Sequence, residues 1–179
     1  NTQLIEENKL PINIGIGLNT GEAVVGNMGS DQRFDYSCLG DAVNLAARLE
    51  GQTKGYGVKI LFGEETAKNL SSKHTVLELD SIAVKGKTEP VAIYTVLDPE
   101  VVNIYDIPSM KQYTDLHIKL RESYIKQDWK HCEDLIDNLM GQFSGSLDSY
   151  YEIILERIQG FKTNPPSKDW DGVYIATTK

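Results

Sequence analysis

Cysteine is scarce in this chain: Cys38 and Cys132 are the only two in 179 residues, far apart and in no CxxC spacing. That excludes a disulfide framework and a cysteine-based zinc site, and it fits reduced thiols in a cytosolic protein. Long apolar runs are missing too. None approaches the roughly 18 residues needed to cross a bilayer, and no basic stretch leading into an apolar one marks a signal peptide. There is no block of lysine and arginine. The 18 basic residues face 26 acidic ones, a formal net charge of −8, and an acidic chain without a basic face does not grip duplex DNA by neutralising its phosphates. No nucleic-acid partner is expected. A polyphosphate ligand would depend on a few placed cations and on metal ions. The chain opens on Asn1 rather than methionine, as a piece of something longer would.

What is present is ordinary for a soluble globular protein. With 40% apolar and 25% charged residues, 179 positions hold one compact domain, or a small one with an appendage. Residues 12–18 alternate apolar with small or polar side chains and read as a strand. Residues 23–29 read as a second strand, with glycines where backbone or ligand can approach closely, and 34–39 as a third after a polar arm. A helix follows over about 41–52, then a strand at 58–62, a short helix at 64–70, and strands at 76–84 and 91–97. Mixed strands and helices of this kind predict an α/β or α+β domain over 1–98. The pattern breaks across 98–108. Residues 99–179 then read as helices at about 109–127, 129–143 and 147–161, followed by an extended tail carrying Trp170 and Tyr174. Apolar residues three or four apart in the first two predict an antiparallel helical hairpin, similar to one tetratricopeptide unit. Its stripe is either the hairpin's own core or a groove for a partner.

The segment Gly40-Asp41-Ala42-Val43-Asn44-Leu45-Ala46-Ala47-Arg48-Leu49-Glu50 carries the most chemical information. Six of the residues from 42 to 49 are apolar, so the helix is expected to be buried nearly all round. Asp41, Asn44 and Arg48 fall within an arc of about 60° at 100° per residue. A polar stripe on a buried helix needs polar partners, because an unpaired buried guanidinium is costly. Those partners are either acids of the fold or a ligand in a cleft, and spacing alone leaves both open.

Four segments occur in order: residues 15–21 (GIGLNTG), 25–29 (VGNMG), 35–50 (DYSCLGDAVNLAARLE) and 84–87 (VKGK). Together they resemble the class III nucleotidyl cyclase catalytic domain, entered midway and covering about residues 10–97. The resemblance implies a partial ferredoxin-like domain with a mixed, mainly antiparallel sheet, followed here by an all-α, hairpin-type tail. It also implies a phosphorus–oxygen lyase that converts ATP to 3′,5′-cyclic AMP and pyrophosphate. Asn44 and Arg48 match the family's transition-state residues, the guanidinium meeting charge that builds on the phosphates and the amide orienting the ribose. Lys85 matches the lysine on the terminal phosphates. Ser37 stands at the purine-reading position, where a hydroxyl serves adenine and is also able to serve guanine. Cys38, one residue on, faces the other side of the strand.

The family also implies Mg²⁺ or Mn²⁺ held by two aspartates that precede this region, and residues 1–11 contain no match to them. Asp41 does not replace them, since its place at the helix start suits a dipole or capping role. The resemblance therefore implies a chain without the metal site and inactive alone, working in the intact enzyme as a homodimer through the cyclase domain. The tail resembles one found in bacterial receptor cyclases, which implies a membrane-anchored parent with this part in the cytoplasm. The alternatives are a guanylate cyclase and a non-catalytic module that binds partners or nucleotide.

Overall fold

The computed structural model of the chain describes residues 1–30, 33–70, 74–83, 89–97 and 109–175, with positions 33 and 34 described as backbone only. In chain order the elements are α1 (Thr2–Glu6), β1 (Ile16–Leu18), β2 (Val24–Ser30), β3 (Arg33–Leu39), α2 (Asp41–Gln52), β4 (Ile60–Gly63), α3 (Glu64–Asn69), β5 (Thr75–Ala83), β6 (Val91–Leu97), α4 (Met110–Ile125), α5 (Trp129–Leu139), α6 (Asp148–Thr163) and β7 (Val173–Ile175). The class is α+β. A five-stranded sheet runs in the order β1-β4-β6-β5-β7, and β2 and β3 form a separate two-stranded hairpin. The sheet is mixed: β4–β6 and β6–β5 pair antiparallel, while β1–β4 and β5–β7 pair parallel.

Two elements depart from the sequence reading. The first strand is shorter than 12–18, beginning at Ile16, whose N–H reaches the Lys59 carbonyl at 2.8 Å. Ile12 and Ile14 are 66% and 65% exposed, so alternation there marks an apolar surface rather than a paired strand. The tail, expected to be an all-α hairpin followed by an extended segment, uses that segment to add a strand to the sheet. After Pro165 and Pro166 the chain turns back, Gly172 adopts a left-handed φ of 83°, and Val173–Ile175 pair with Ser81–Ala83. That edge of β5 offers unpaired backbone groups, and a short extended segment satisfies them. Trp170 fixes the approach. Its ring lies 5.2 Å from Phe161 and 5.3 Å from Tyr124, and its indole N–H donates to the Val173 carbonyl at 3.0 Å.

The apolar core runs without a break from Leu45 and Leu49 of α2, through Leu61, Leu77 and Ile93 of the sheet, to Leu120, Ile136 and Ile154 of the C-terminal helices. The expected boundary at 98–108 lies outside the described residues, and the parts on either side of it share this one core. The helical stripe is spent in it as well: Leu120, Tyr124, Cys132, Leu135, Ile136 and Leu139 are all buried. The stripe is therefore packing rather than a partner groove. Full burial of one such leucine is worth about 1.5–3 kcal/mol. Burial also pushes the Cys132 thiol up to about 12, so it stays protonated, while Cys38 is exposed.

Candidate active site

Helix α2 lies on β1 with almost no side chain between them. A Cβ at Gly17 would sit 2.1 Å from the Ala46 carbonyl oxygen and 2.3 Å from the Glu50 nitrogen. Only glycine permits this approach. Ala42, which faces Gly21, belongs to the same side of the helix as Ala46 and Glu50. At 100° per residue, Asn44 and Arg48 lie about 180° from that side. The contact that seats the helix thus turns the amide and the guanidinium outward, one turn apart.

Both side chains are exposed, and neither forms an ion pair or side-chain hydrogen bond with another described residue. This corrects the expectation of a helix buried nearly all round. Only Leu45 and Leu49 of α2 are buried. Ala47 is exposed alongside the polar pair, because the sheet covers one side of the helix and the described chain does not cover the other. No acid among the described residues engages the guanidinium.

Ser37 lies on β3, which runs through Gly40 into α2. It is half-buried and opposite Gly26 in the hairpin, and Cys38 is exposed on the alternate face. Lys85 falls at 84–88, outside the described residues. An open groove of about 490 Å³ at the N-terminal end of α2 is lined by Glu22, Asp41, Glu64 and Glu65 and by neither Asn44 nor Arg48. Four carboxylates make it a poor seat for a triphosphate. No group of three or more His, Cys, Asp or Glu among the described residues is placed to hold a metal ion. The described residues therefore do not form a Mg²⁺ or Mn²⁺ site, and what Asn44, Arg48 and Ser37 present is an amide, a guanidinium and a hydroxyl.

One buried constellation was not anticipated from the sequence. Asp80 of β5 is 0% exposed. Its carboxylate accepts from Tyr56 Oη at 2.7 Å and from Arg157 Nη1 at 2.6 Å, and Arg121 Nη1 lies 3.3 Å away. Desolvation first, then the carboxylate, pushes the Tyr56 hydroxyl up. The arginines that meet Asp80 stand within the apolar patterns of α4 and α6. That was the available signal, but nothing in either helix indicates where the acid lies.

The adenylate and guanylate cyclase catalytic domain model matches residues 1–98. The chain belongs to this family. An adenylate cyclase of Anabaena cylindrica is 46% identical over 88 residues, covering 48% of this chain and 18% of that protein. The terminal-differentiation specific adenylate cyclase of Dictyostelium discoideum is 39% identical over 92 residues, 50% of this chain and 4% of that one. The crystal structure of the adenylyl cyclase CyaB from P. aeruginosa shares 37% identity at a TM-score of 0.47, covering 54% of this chain and 50% of that chain. The cyclase chain described here thus spans less than a fifth of either curated relative. Among the described residues no helix is long and apolar enough to cross a membrane.

Proposed function

We propose that this chain supplies the transition-state face of an adenylyl cyclase, within a longer cytoplasmic catalytic unit that pairs with a second copy. The 3′-oxygen of ATP forms a bond to the α-phosphorus, the bond to the bridging oxygen breaks, and pyrophosphate leaves with that electron pair while the 3′-proton is released. Arg48 places forked donors where charge grows on the α-phosphate and the leaving group, and Asn44 holds the ribose. Ser37 reads the adenine edge, and Lys85 meets the terminal phosphates as a point charge. Divalent metal, Mg²⁺ or Mn²⁺, belongs to parts of the enzyme other than the described residues. A membrane-anchored parent of the bacterial receptor kind is consistent with this arrangement.

The observation that carries this reading is the outward pair Asn44 and Arg48, exposed and without a side-chain partner among the described residues, on a helix seated by glycine. A triphosphate bound there is held from one side only, which agrees with a site completed by another protein surface. Apolar exposure nearby agrees as well. Leu18, Val24, Val25 and Leu39 are 46%, 67%, 54% and 58% exposed, more than a monomer's scattered surface residues require.

In the complete catalytic unit, Arg48→Ala is expected to lower kcat for ATP by about 10²–10³-fold with little change in KM. Unchanged turnover in that variant would refute the assignment. Residues 1–179 alone are expected to form no cyclic AMP. Parallel assays with GTP decide how far the Ser37 hydroxyl discriminates between purines.

A further inference from the structure

The C-terminal extension is bonded to three successive residues of one strand. Between Glu78 and Asp80 the β5–β6 register slips, so Leu79 is an extra residue with no partner on β6. A bulge leaves ladder groups unpaired and bends its strand. Here side chains from the extension bind all three residues at the bulge. His117 of α4 meets the Glu78 carbonyl at 2.7 Å, Tyr150 of α6 donates to the Leu79 carbonyl at 2.6 Å, and Arg157 of α6 binds the Asp80 carboxylate at 2.6 Å. The same carboxylate oxygen accepts from Tyr56, in the 3-10 turn Lys54–Tyr56 that directly follows α2. The guanidinium carbon of Arg157 lies 5.0 Å from the Tyr56 ring centroid.

We infer that the extension is a positioning element for the reaction, acting through Arg157, Asp80 and Tyr56 on the far end of the helix that carries Asn44 and Arg48. This rests on the cyclase reading above. The Asp80 carboxylate is shared between the two sides, so any shift of α6 is felt at the end of α2. The other face of α2 has no slack to absorb such a shift, since it lies on the backbone of Gly17. The helix that carries Asn44 and Arg48 therefore takes its placement from the grip on residues 78–80. Arg121, Arg157 and Tyr56 are positioning residues and do not touch the nucleotide.

The test pairs kinetics on the complete cyclase with hydrogen exchange on residues 1–179. Tyr56→Phe removes one hydroxyl and leaves the ring. It is expected to lower kcat about tenfold at near-constant KM and to speed amide exchange in residues 41–56 while α4–α6 stay protected. Arg157→Lys keeps charge without the fork and is expected to recover more turnover than Arg157→Gln. Unchanged kcat and unchanged exchange in 41–56 for Tyr56→Phe would overturn the inference. So would equal loosening of α2 and α4–α6, which marks a purely structural contact. Arg48→Ala, assayed beside them, separates the two claims. If it leaves kcat unchanged the cyclase reading fails, and the exchange data still decide whether α2 is tied to the extension.

Discussion

On α2, Arg48 is exposed and has no ion pair with another described residue. On α6, the Arg157 side chain is 9% exposed, 2.6 Å from Asp80, with its guanidinium carbon 3.5 Å from the Tyr174 ring centroid. The two residue types are identical and their surroundings are opposite. Arg157 is neutralised within the fold, because a buried cation without a carboxylate is strongly destabilising. Arg48 stays in water, keeps its hydration, and remains available for an anion brought from outside. Under the proposed function, the exposed guanidinium on a rigidly seated helix is the one that meets a ligand, and the buried one paired with a carboxylate stabilises the fold.

The contrast is broken most strongly from the buried side. Asp80→Ala leaves two arginines without their shared carboxylate and is expected to cost about 3–5 kcal/mol, read as a lower urea midpoint for residues 1–179. His117 comes next. Burial pushes its imidazole down from the ordinary histidine value of 6.5 to about 4. Between those values the unfolded chain takes up a proton that the native chain does not, so stability falls as pH drops through that window, by about 3 kcal/mol in all. His117→Gln, which keeps a donor for the Glu78 carbonyl, is expected to lose about 2 kcal/mol less than the native chain between pH 7 and pH 5. Equal slopes in the two proteins would disprove a neutral buried imidazole. Gly17→Ala pushes a methyl into the α2 backbone and is expected to cost about 1–3 kcal/mol. Arg48→Ala, by contrast, is expected to change stability by no more than about 0.5 kcal/mol. A larger loss would place Arg48 with the structural arginines and erase the distinction.

The elements around the site were legible because their signals are local. The limits of α2, Asp41–Gln52, follow from Gly40, an Ala/Leu-rich run and a glycine near its end, and Val91–Leu97 follows from apolar alternation. Asn44 and Arg48 share a face because 3.6-residue periodicity puts them there. What local pattern does not encode is which side of a helix the rest of the fold covers. Alanines read as core, yet Ala47 is exposed. Asp80 was equally opaque, since strand alternation pairs it with exposed Glu78 and only the bulge turns it inward. β7 was hidden because three residues, Val173, Tyr174 and Ile175, acquire strand geometry from an edge laid down some ninety positions earlier. Lys85 stands outside the described residues, and its role remains a proposal.

The 77-residue separation between Asp80 and Arg157 has a consequence for how the protein is made. On the ribosome, β5 emerges long before α6, so the Asp80 carboxylate has only earlier partners such as Tyr56 and the neighbouring Ser81 N–H until Arg157 is made. Contacts of such wide sequence separation form late. The bond between Asp80 and Arg157 is therefore expected to form only after α6 has been made, so the packing around residue 80 is completed late in folding.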